Sequence, residues 1–290
     1  MSRILLSIIL ISICFSCNDR DDLGTSVSIS RSIVPIEIPQ VINGEIVNRR
    51  ALIKYPSGQS KGSYPVVFFF HNQTWDAEET LNLLEGAKLL IESEEFIGIF
   101  PQGYQNTWNA GLNENLADDP LFLDRLMLEV RKIATAQQNR VYAIGFEEGA
   151  VLVNRLGKET NYFEGIATIY GQQTTDVAAI DPENVVSVFQ LNSSMDGFAP
   201  VAGGTTNNGY NLLSAEESAR DWSGGLNCAL SPELSMETWG DYAVSSYNYP
   251  NCIRGKKVRY HIVEDAPQLS AFGTNDFLVS RIWDFFNEAP

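Results

Sequence analysis

The chain has 290 residues, of which 44% are hydrophobic and 11% aromatic, so it can bury a sizeable core and matches the length of one α/β domain. Its formal net charge of −16 argues against nucleic acids and against anionic membrane surfaces as partners. The composition therefore predicts a globular domain whose surface charge keeps it away from both kinds of polyanion.

The N-terminus carries a targeting signal. Arg3 precedes an apolar run at residues 4–15, which matches the apolar region of a signal peptide and is too short to span a bilayer. The pair Ser16-Cys17 that follows resembles the lipobox of bacterial lipoproteins. The resemblance implies a signal peptide at residues 1–16 and lipidation of Cys17, which would anchor the protein in the outer membrane, on its periplasmic or its outer face. An ordinary secretory signal and an uncleaved buried helix are the alternatives.

Residues 17–30 have low hydrophobicity, and we expect them to form a disordered tether. The acidic cluster at residues 19–22 resembles the surface-export tag of lipoproteins in some Gram-negative groups, although an ordinary solvated charge run has the same composition. Residues 31–290 show no internal repeat and no change in composition. We therefore predict a single domain over that range.

Strand-like and helix-like segments alternate along this domain. The first two strands are joined by Asn43-Gly44, which is typical of a tight hairpin. The predicted strands are residues 33–38, 46–55, 65–70, 96–100, 141–144, 163–170, 185–191 and 257–263. The predicted helices are residues 76–90, 121–136, a segment that begins near residue 150, and 275–287. This alternation predicts an α/β fold with a mostly parallel central sheet and helices on both faces.

The segment 145–149, Gly-Phe-Glu-Glu-Gly, joins the apolar strand 141–144 to an apolar helical pattern. This setting resembles the nucleophile elbow Gly-x-Ser-x-Gly of the α/β-hydrolase fold, whose glycines allow a sharp turn and close packing. Glu147 stands at the position of the nucleophilic serine. Acidic residues in the first turn of a helix also favour its dipole, so Glu147 and Glu148 have a structural explanation as well.

The four cysteines of the chain divide into two groups. Cys14 would leave with the signal peptide and Cys17 would carry the lipid, so Cys228 and Cys252 remain. An even pair in an exported protein predicts a disulfide, and two free thiols are the alternative. A disulfide that closes a loop of this length would stabilise the protein by about 3 kcal/mol.

Several short motifs, in order along the chain, resemble those of the secreted polyhydroxybutyrate depolymerases and feruloyl esterases, a group of α/β hydrolases. Each motif is weak alone, but together they extend from about residue 47 to 288. The matching segments are residues 71–72 for a strand ending in His-Gly, 100–103 for Tyr-Pro-x-Gly, 108–111 for Trp-Asn-Ala-Gly, 118–123 for Asp-Asp-Val-x-Phe-Leu and 190–196 for a strand ending in His-Gly-Thr-x-Asp. The resemblance implies an α/β-hydrolase fold and an esterase-type site, with Trp108 and Asn109 as binding residues.

The resemblance also assigns the catalytic positions. Glu147 occupies the nucleophile position, Asp196 the acid position, and Gln268 the base position, where the family has Glu-Gly-Gly-Gly-His. His71 and Asn72 occupy the oxyanion loop, in which Asn72 replaces a glycine. A triad needs an imidazole that takes a proton near neutral pH and returns it, which glutamine cannot do.

The chain contains two histidines, His71 and His261, and we expect neither to lie between Asp196 and the elbow. The leading interpretation is a lipoprotein whose esterase-type domain has lost ester hydrolysis and binds a polysaccharide or polyester fragment or an envelope protein. One alternative is an active carboxylic-ester hydrolase that uses Ser193 or Ser194 with His71. Another is a purely structural domain that binds no ligand.

We expect no cofactor and no metal. Two histidines and one remaining cysteine pair do not supply the ligands of a zinc site, and neither a calcium-loop spacing nor a glycine-rich phosphate loop is present. The carboxylates are numerous, but the sequence singles out no pair for glycosidase chemistry.

Overall fold

A computed structural model describes residues 33–58, 61–111, 116–266 and 276–288. The predicted signal peptide, the tether with Cys17, and Gln268 lie outside the described residues. None of the helices within these ranges combines the length and the apolar character needed to cross a membrane.

The strands build one large sheet. Their bounds in the described ranges are β1 (Ile33–Ile42), β2 (Glu45–Lys54), β3 (Tyr64–Phe70), β4 (Ile97–Pro101), β5 (Ala136–Phe146), β6 (Gly165–Ile169), β7 (Ser187–Ser193), β8 (Gly204–Thr205), β9 (Asn211–Leu212), β10 (Glu233–Trp239), β11 (Tyr242–Tyr249) and β12 (Val258–Val263). All but the short β8–β9 ribbon join the sheet, in the order β1-β2-β4-β3-β5-β6-β7-β12-β11-β10. The six strands from β4 to β12 in this order are parallel to one another. Antiparallel pairs extend the sheet at both edges, so it is mostly parallel, as the sequence predicts.

Helices cover both faces of the sheet. Their bounds in the described ranges are α1 (Ala77–Leu83), α2 (Glu85–Glu92), α3 (Asp119–Val130), α4 (Glu148–Glu159), α5 (Thr175–Ala178), α6 (Ala215–Gly225) and α7 (Asp276–Asn287). Residues of α3, α4 and α6 pack in one core layer, and residues of α1, α2 and α7 pack in the other. The closing helix α7 confirms the prediction for residues 275–287.

Strand β3 shows why the central strands are apolar throughout. Phe68 and Phe70 lie in the layer with α3 and α4, whereas Val67 and Phe69 lie in the layer with α1 and α2. Since both faces are covered, side chains of both parities must be apolar. The continuous run at residues 65–70 therefore marks a strand at the centre of the sheet.

The predicted opening hairpin is present. Asn43 and Gly44 have φ values of 51° and 82°, the positive φ that a two-residue hairpin turn requires at both positions. β1 pairs with β2 along its whole length, from Ile33 opposite Lys54 to Ile42 opposite Glu45. The strand is therefore longer than the predicted 33–38, because register with β2 extends it to the turn.

The single helix predicted at residues 76–90 is two helices. Asp76 caps α1 through a capping box, in which its side chain accepts a hydrogen bond from Glu79 N at 2.7 Å. Leu84, with φ −84° and ψ 75°, then breaks the helix before α2. The apolar spacing continues across the break because Leu84 itself is buried in the core. Apolar periodicity alone therefore does not reveal the break.

The helix predicted at residues 121–136 ends earlier, at Val130. The carbonyl of Thr135 accepts a hydrogen bond from Tyr64 N at 2.7 Å, and β5 begins at the next residue, Ala136. This tertiary contact draws the segment into the sheet. The last predicted helical residues therefore form a turn.

The antiparallel pair β10–β11 is not among the predicted strands. Leu234 and Met236 alternate with polar residues in β10, but both side chains are exposed, so this edge strand contributes little to the core. The prediction that Cys228 and Cys252 form a disulfide is confirmed. The disulfide ties the end of α6 to the loop that follows β11.

Candidate functional site

The elbow between β5 and α4 has the backbone of a sharp strand-to-helix turn. Glu147 has φ 50° and ψ −112°, a backbone conformation that residues other than glycine rarely adopt. Its N–H donates to the carbonyl of Ile169 at 2.8 Å, and its own carbonyl accepts from Ala150 N at 2.9 Å. The turn therefore presents the Glu147 side chain at the carboxyl end of β5, where the α/β-hydrolase fold holds its nucleophile.

Glycines on both sides make this turn sterically possible. A Cβ on Gly145 would overlap the carbonyl of Gly149, and a Cβ on Gly149 would overlap the carbonyls of Phe70 and His71. These clashing atoms belong to the backbone and cannot rotate away. The elbow therefore needs glycine at both ends of the motif, whatever side chain stands between them.

The carboxyl group of Glu147 is partly buried and electrostatically strained. Desolvation raises its pKa to about 7, and the charges of Asp196 and Glu148 add to the effect. No donor among the described residues compensates for the burial of this carboxyl. Glu147 therefore exchanges a proton near neutral pH.

Asp196 lies in the loop that follows β7. Its Oδ1 accepts hydrogen bonds from Phe198 N at 2.7 Å and from Ala199 N at 3.1 Å, and the residue is buried. Its charge raises the pKa of Glu147, so the nucleophile and acid positions inferred from the sequence lie close enough to interact electrostatically.

Tyr170 is a site residue that the sequence analysis missed. It directly follows β6, has φ 58° and is fully buried, and its hydroxyl has no hydrogen-bond partner among the described residues. Burial raises its pKa, and the charges of Asp196 and Glu147 raise it further, so the hydroxyl stays neutral. A signal was available, since Tyr170 ends the strand next to the elbow strand, and ligands of open α/β sheets bind at such carboxyl ends.

Glu148 serves the structure of the site. Its buried carboxylate accepts hydrogen bonds from Gln73 Nε2 at 2.9 Å, from the Tyr210 hydroxyl at 2.9 Å and from Trp108 N at 3.1 Å. Burial raises its pKa, and these three donors lower it in part. Glu148 thus joins the loop after β3, the loop after β4 and the loop before β9 to the first turn of α4.

His71 is occupied by backbone contacts. Its Nε2 accepts from Gly103 N at 2.9 Å, which leaves the proton on Nδ1 to donate to the Asn72 carbonyl at 2.7 Å. Burial lowers its pKa to about 4. His71 is therefore a neutral residue that holds two loops together, with no ring nitrogen left for a serine.

Asn72 shapes the loop in which the resembling family has glycine. Its Oδ1 accepts hydrogen bonds from Thr74 N at 2.9 Å, from the Thr74 hydroxyl at 3.0 Å and from Trp75 N at 2.9 Å. The amide side chain thus closes a turn onto the start of α1. Asn72 is buried in this turn, so it supports the loop.

His261 lies within β12 and faces the layer that contains α7. Its Nδ1 is 2.8 Å from the Ser246 hydroxyl, and its ring packs against Phe189 and Trp239 at centroid distances of 4.7 Å and 4.9 Å. Burial lowers its pKa to about 3. The second histidine of the chain is thus also neutral and is held inside the sheet layer.

The two serines of the alternative catalytic arrangement have other partners. The Ser193 hydroxyl donates to the carbonyl of Ala266 at 2.6 Å, and the Ser194 hydroxyl accepts from Asp265 N at 2.9 Å. Both contacts tie the end of β7 to the loop after β12. In the described part of the chain, the structure does not bring either serine to His71.

Trp108 and Asn109 are buried in the loop that follows β4. Trp108 is 2% exposed, and its indole N–H donates to the His71 carbonyl at 2.8 Å. Asn109 N donates to Asp119 Oδ2 at 2.6 Å, and Asp119 is paired with the buried Arg49 at 2.7 Å. Both residues therefore support the loops around the elbow, and their side chains do not form an open wall for a ligand.

Of the sequence-inferred catalytic positions, Glu147 and Asp196 lie close enough to interact electrostatically. Gln268, at the inferred base position, lies outside the described residues. Within the described ranges, no group of three or more His, Cys, Asp or Glu side chains is arranged to hold a metal ion.

Known proteins resemble this chain in part of its sequence and in its fold. No protein-family model matches it. Over 148 residues, 49% of the chain, it is 26% identical to "Putative esterase NocK" of Nocardia uniformis subsp. tsuyamanensis. The match spans 43% of that protein, less than half of its length.

Solved structures of esterases share the architecture. An acetyl xylan esterase from Aspergillus awamori aligns with a TM-score of 0.58 at 13% identity, over 88% of this chain and 100% of that chain. A thermostable esterase aligns with a TM-score of 0.52 at 13% identity, over 87% of this chain and 60% of that chain. At such low identity the likeness concerns the fold alone, and this domain has the α/β-hydrolase fold of esterases.

Proposed function

We propose that this protein is an envelope lipoprotein whose esterase-type α/β-hydrolase domain does not hydrolyse esters and binds a ligand or a protein partner at the elbow. The finer resemblance to polyhydroxybutyrate depolymerases and feruloyl esterases makes a polyester or polysaccharide fragment the ligand class to test first. The anchor in this proposal is a lipid on Cys17, and it rests on the sequence at residues 16–17.

One observation carries the proposal. The elbow presents Glu147 where a hydrolase of this fold presents serine, and both histidines of the chain have other partners. Ester hydrolysis on this fold needs a nucleophile and an imidazole that moves its proton. A glutamate could attack an ester as a carboxylate, but without a base to activate water the resulting acyl-enzyme would not turn over. This composition of the site supports binding over turnover.

Labelling with a fluorophosphonate ester tests the proposal. The parent protein should remain unlabelled and should not turn over aryl or short-chain esters at a substantial rate. A faint rate would not distinguish an active esterase from an inactive domain, because the oxyanion hole and binding alone give some acceleration over water. A labelled peptide that contains Ser193, Ser194 or any other serine would overturn the proposal in favour of an active esterase.

A restored triad provides the matched positive control. The double variant Glu147→Ser/Gln268→His rebuilds the inferred nucleophile and base on Asp196 and should become reactive toward the phosphonate. Either single change should have little effect, since triad members act as a unit. Labelling of the double variant together with a silent parent would show that the scaffold is intact and that the missing groups account for the lack of activity.

A further inference from the structure

Three hydrogen-bond acceptors converge at the carboxyl ends of three adjacent strands. Glu147 follows β5, Tyr170 follows β6 and Asp196 follows β7. Backbone hydrogen bonds hold the strand ends in register, from Glu147 N to the Ile169 carbonyl and from Tyr170 N to the Leu191 carbonyl, both at 2.8 Å. Glu147 and Asp196 both act electrostatically on Tyr170, so the three side chains are neighbours at this edge of the sheet.

The Tyr170 hydroxyl is an unused polar group at this place. It is fully buried, and no hydrogen-bond partner for it is found in the described ranges. An unpaired buried hydroxyl costs free energy that a partner would recover. Because its pKa is raised, the hydroxyl stays neutral and keeps oxygen lone pairs that can accept a hydrogen bond from a ligand.

The backbone conformation of Glu147 also indicates a binding position. A side chain at φ 50° and ψ −112° holds the backbone in a strained conformation, and a glycine would relieve that strain. The carboxyl group adds a second cost, since it is partly desolvated and has no donor among the described residues. A strained residue whose carboxyl group lacks a donor is typical of a binding position, where a ligand supplies the missing donor.

We infer that the elbow site binds its ligand through a protonated amino group, which Glu147, Asp196 and the Tyr170 hydroxyl hold together. This inference rests on the proposed binding function and names the chemistry of the ligand. An ammonium group has three N–H donors and no acceptor, which matches the three acceptors that follow β5, β6 and β7. The site thus binds a cation at the place where an esterase stabilises an anion.

The ionisation of the site makes binding depend on pH. The groups that face Glu147 are Asp196, Glu148 and Tyr170, and Tyr170 also faces Tyr242. Glu148 is held by three donors, and Tyr170 stays neutral. With a pKa of about 7, Glu147 is protonated near pH 5 and ionised near pH 8. An amine should therefore bind roughly tenfold or more tightly at the higher pH.

Benzylamine and benzyl alcohol are probes of matched shape that differ in the charged nitrogen. The Glu147 carboxyl is followed by ¹³C NMR in the full-length folded domain, with its resonance assigned from Glu147→Gln. Benzylamine should lower the pKa of Glu147 by about one unit or more, because the cation favours the carboxylate, whereas benzyl alcohol should leave it in place. The absence of any effect of benzylamine on this resonance would overturn the inference.

Variants separate the site from general attraction to an acidic protein. Glu147→Gln should weaken benzylamine binding roughly tenfold or more, and Tyr170→Phe should weaken it several-fold while removing only the unpartnered hydroxyl. Glu45→Gln, in the exposed hairpin of β1 and β2, removes the same charge and should bind like the parent. Equal loss in Glu45→Gln and Glu147→Gln would overturn the inference.

The outcome is distinct from that of the ester test. If benzyl alcohol binds at the elbow as well as benzylamine does, the binding function stands and the ammonium inference fails. If the parent protein reacts with the fluorophosphonate, the proposed function fails whatever the amine does.

Discussion

At the scale of single residues, the surroundings of Glu147 affect the chemistry of the site as well as the glutamate itself. The residue stands at a strained turn, partly desolvated and opposed by Asp196 and Glu148. Serine at this position would need a histidine, and the two histidines are held by Gly103 and Ser246. The chemistry of the site is therefore set by what surrounds residue 147 as much as by the substitution itself.

Glu147 should make the stability of the domain depend on pH. In the folded protein its carboxyl keeps a proton up to about pH 7, whereas the unfolded chain releases it near 4.5. The folded state binds more protons in this window, so the stabilising contribution is full below pH 4.5 and is lost as the pH rises through 7. Because the group is part-exposed, we expect a loss of about 1–2 kcal/mol.

Urea unfolding at about pH 5 and about pH 8 measures this effect. Glu147→Gln should lose less stability than the parent over that interval, by the stated amount. Glu45→Gln, which removes an exposed carboxyl, should follow the parent. Parallel pH curves for the parent and Glu147→Gln would contradict the raised pKa of Glu147.

At the scale of elements, the close approach of α4 to β3 positions the site. Gly149 lies directly over the carbonyls of Phe70 and His71, so helix and strand come nearer than any side chain permits. Glu148 then fastens the first turn of α4 to three loops through Gln73, Trp108 and Tyr210. Packing and hydrogen bonds thus hold the elbow on several sides.

Gly149→Ala should destabilise the domain. The added methyl group would meet two backbone carbonyls that cannot move without shifting the strand, and overpacking of this kind costs about 1–3 kcal/mol. Gly224→Ala is the matched control, because a Cβ there meets nothing within 4 Å and α6 should gain up to about 1 kcal/mol. Urea unfolding of both variants measures the difference, and similar effects of the two changes would contradict the packing described at the elbow.

At the scale of the whole molecule, the candidate site and the predicted anchoring segment lie in different parts of the sequence. The parallel centre of the sheet supplies Glu147, Tyr170 and Asp196 from three neighbouring strands. The antiparallel pair β10–β11 closes one edge, where the disulfide between Cys228 and Cys252 joins it to α6. The predicted lipid attachment at Cys17 lies outside the described residues.

The disulfide should contribute a measurable part of the stability of the domain. It closes a loop with a sequence separation of 24 residues, and we expect Cys228→Ser/Cys252→Ser to lose about 3 kcal/mol in urea unfolding. Reduction of the parent with a thiol reagent should give the same loss. Alkylation of either cysteine in the unreduced parent would contradict the pairing.

Replacing Cys17 by Ala should release the protein from the membrane fraction of its host. Cys14→Ala is the control, because Cys14 lies within the predicted signal peptide and should not matter for anchoring. Fractionation followed by immunoblotting distinguishes the two. A Cys17→Ala protein that sediments with membranes as the parent does would refute the lipid anchor.

Local sequence patterns were enough to predict much of the fold. Turn chemistry predicted the hairpin at Asn43-Gly44 and the elbow at residues 145–149, because both depend on glycine and on neighbours along the chain. The apolar runs predicted the central strands, since a strand covered on both faces is apolar at every position. The count of two histidines followed from the sequence directly, and so did the pairing partner of Cys228 once the other cysteines were assigned.

The ends of several helices, the place of Tyr170 in the site and the pKa shifts depend on the tertiary structure. The break at Leu84 and the end of α3 at Val130 depend on contacts with distant segments, which apolar periodicity does not record. Tyr170 became a site residue because β6 lies between β5 and β7, and strand order is a long-range property. The raised pKa of Glu147 and the lowered pKa of His71 arise from burial, which is fixed by how the elements pack.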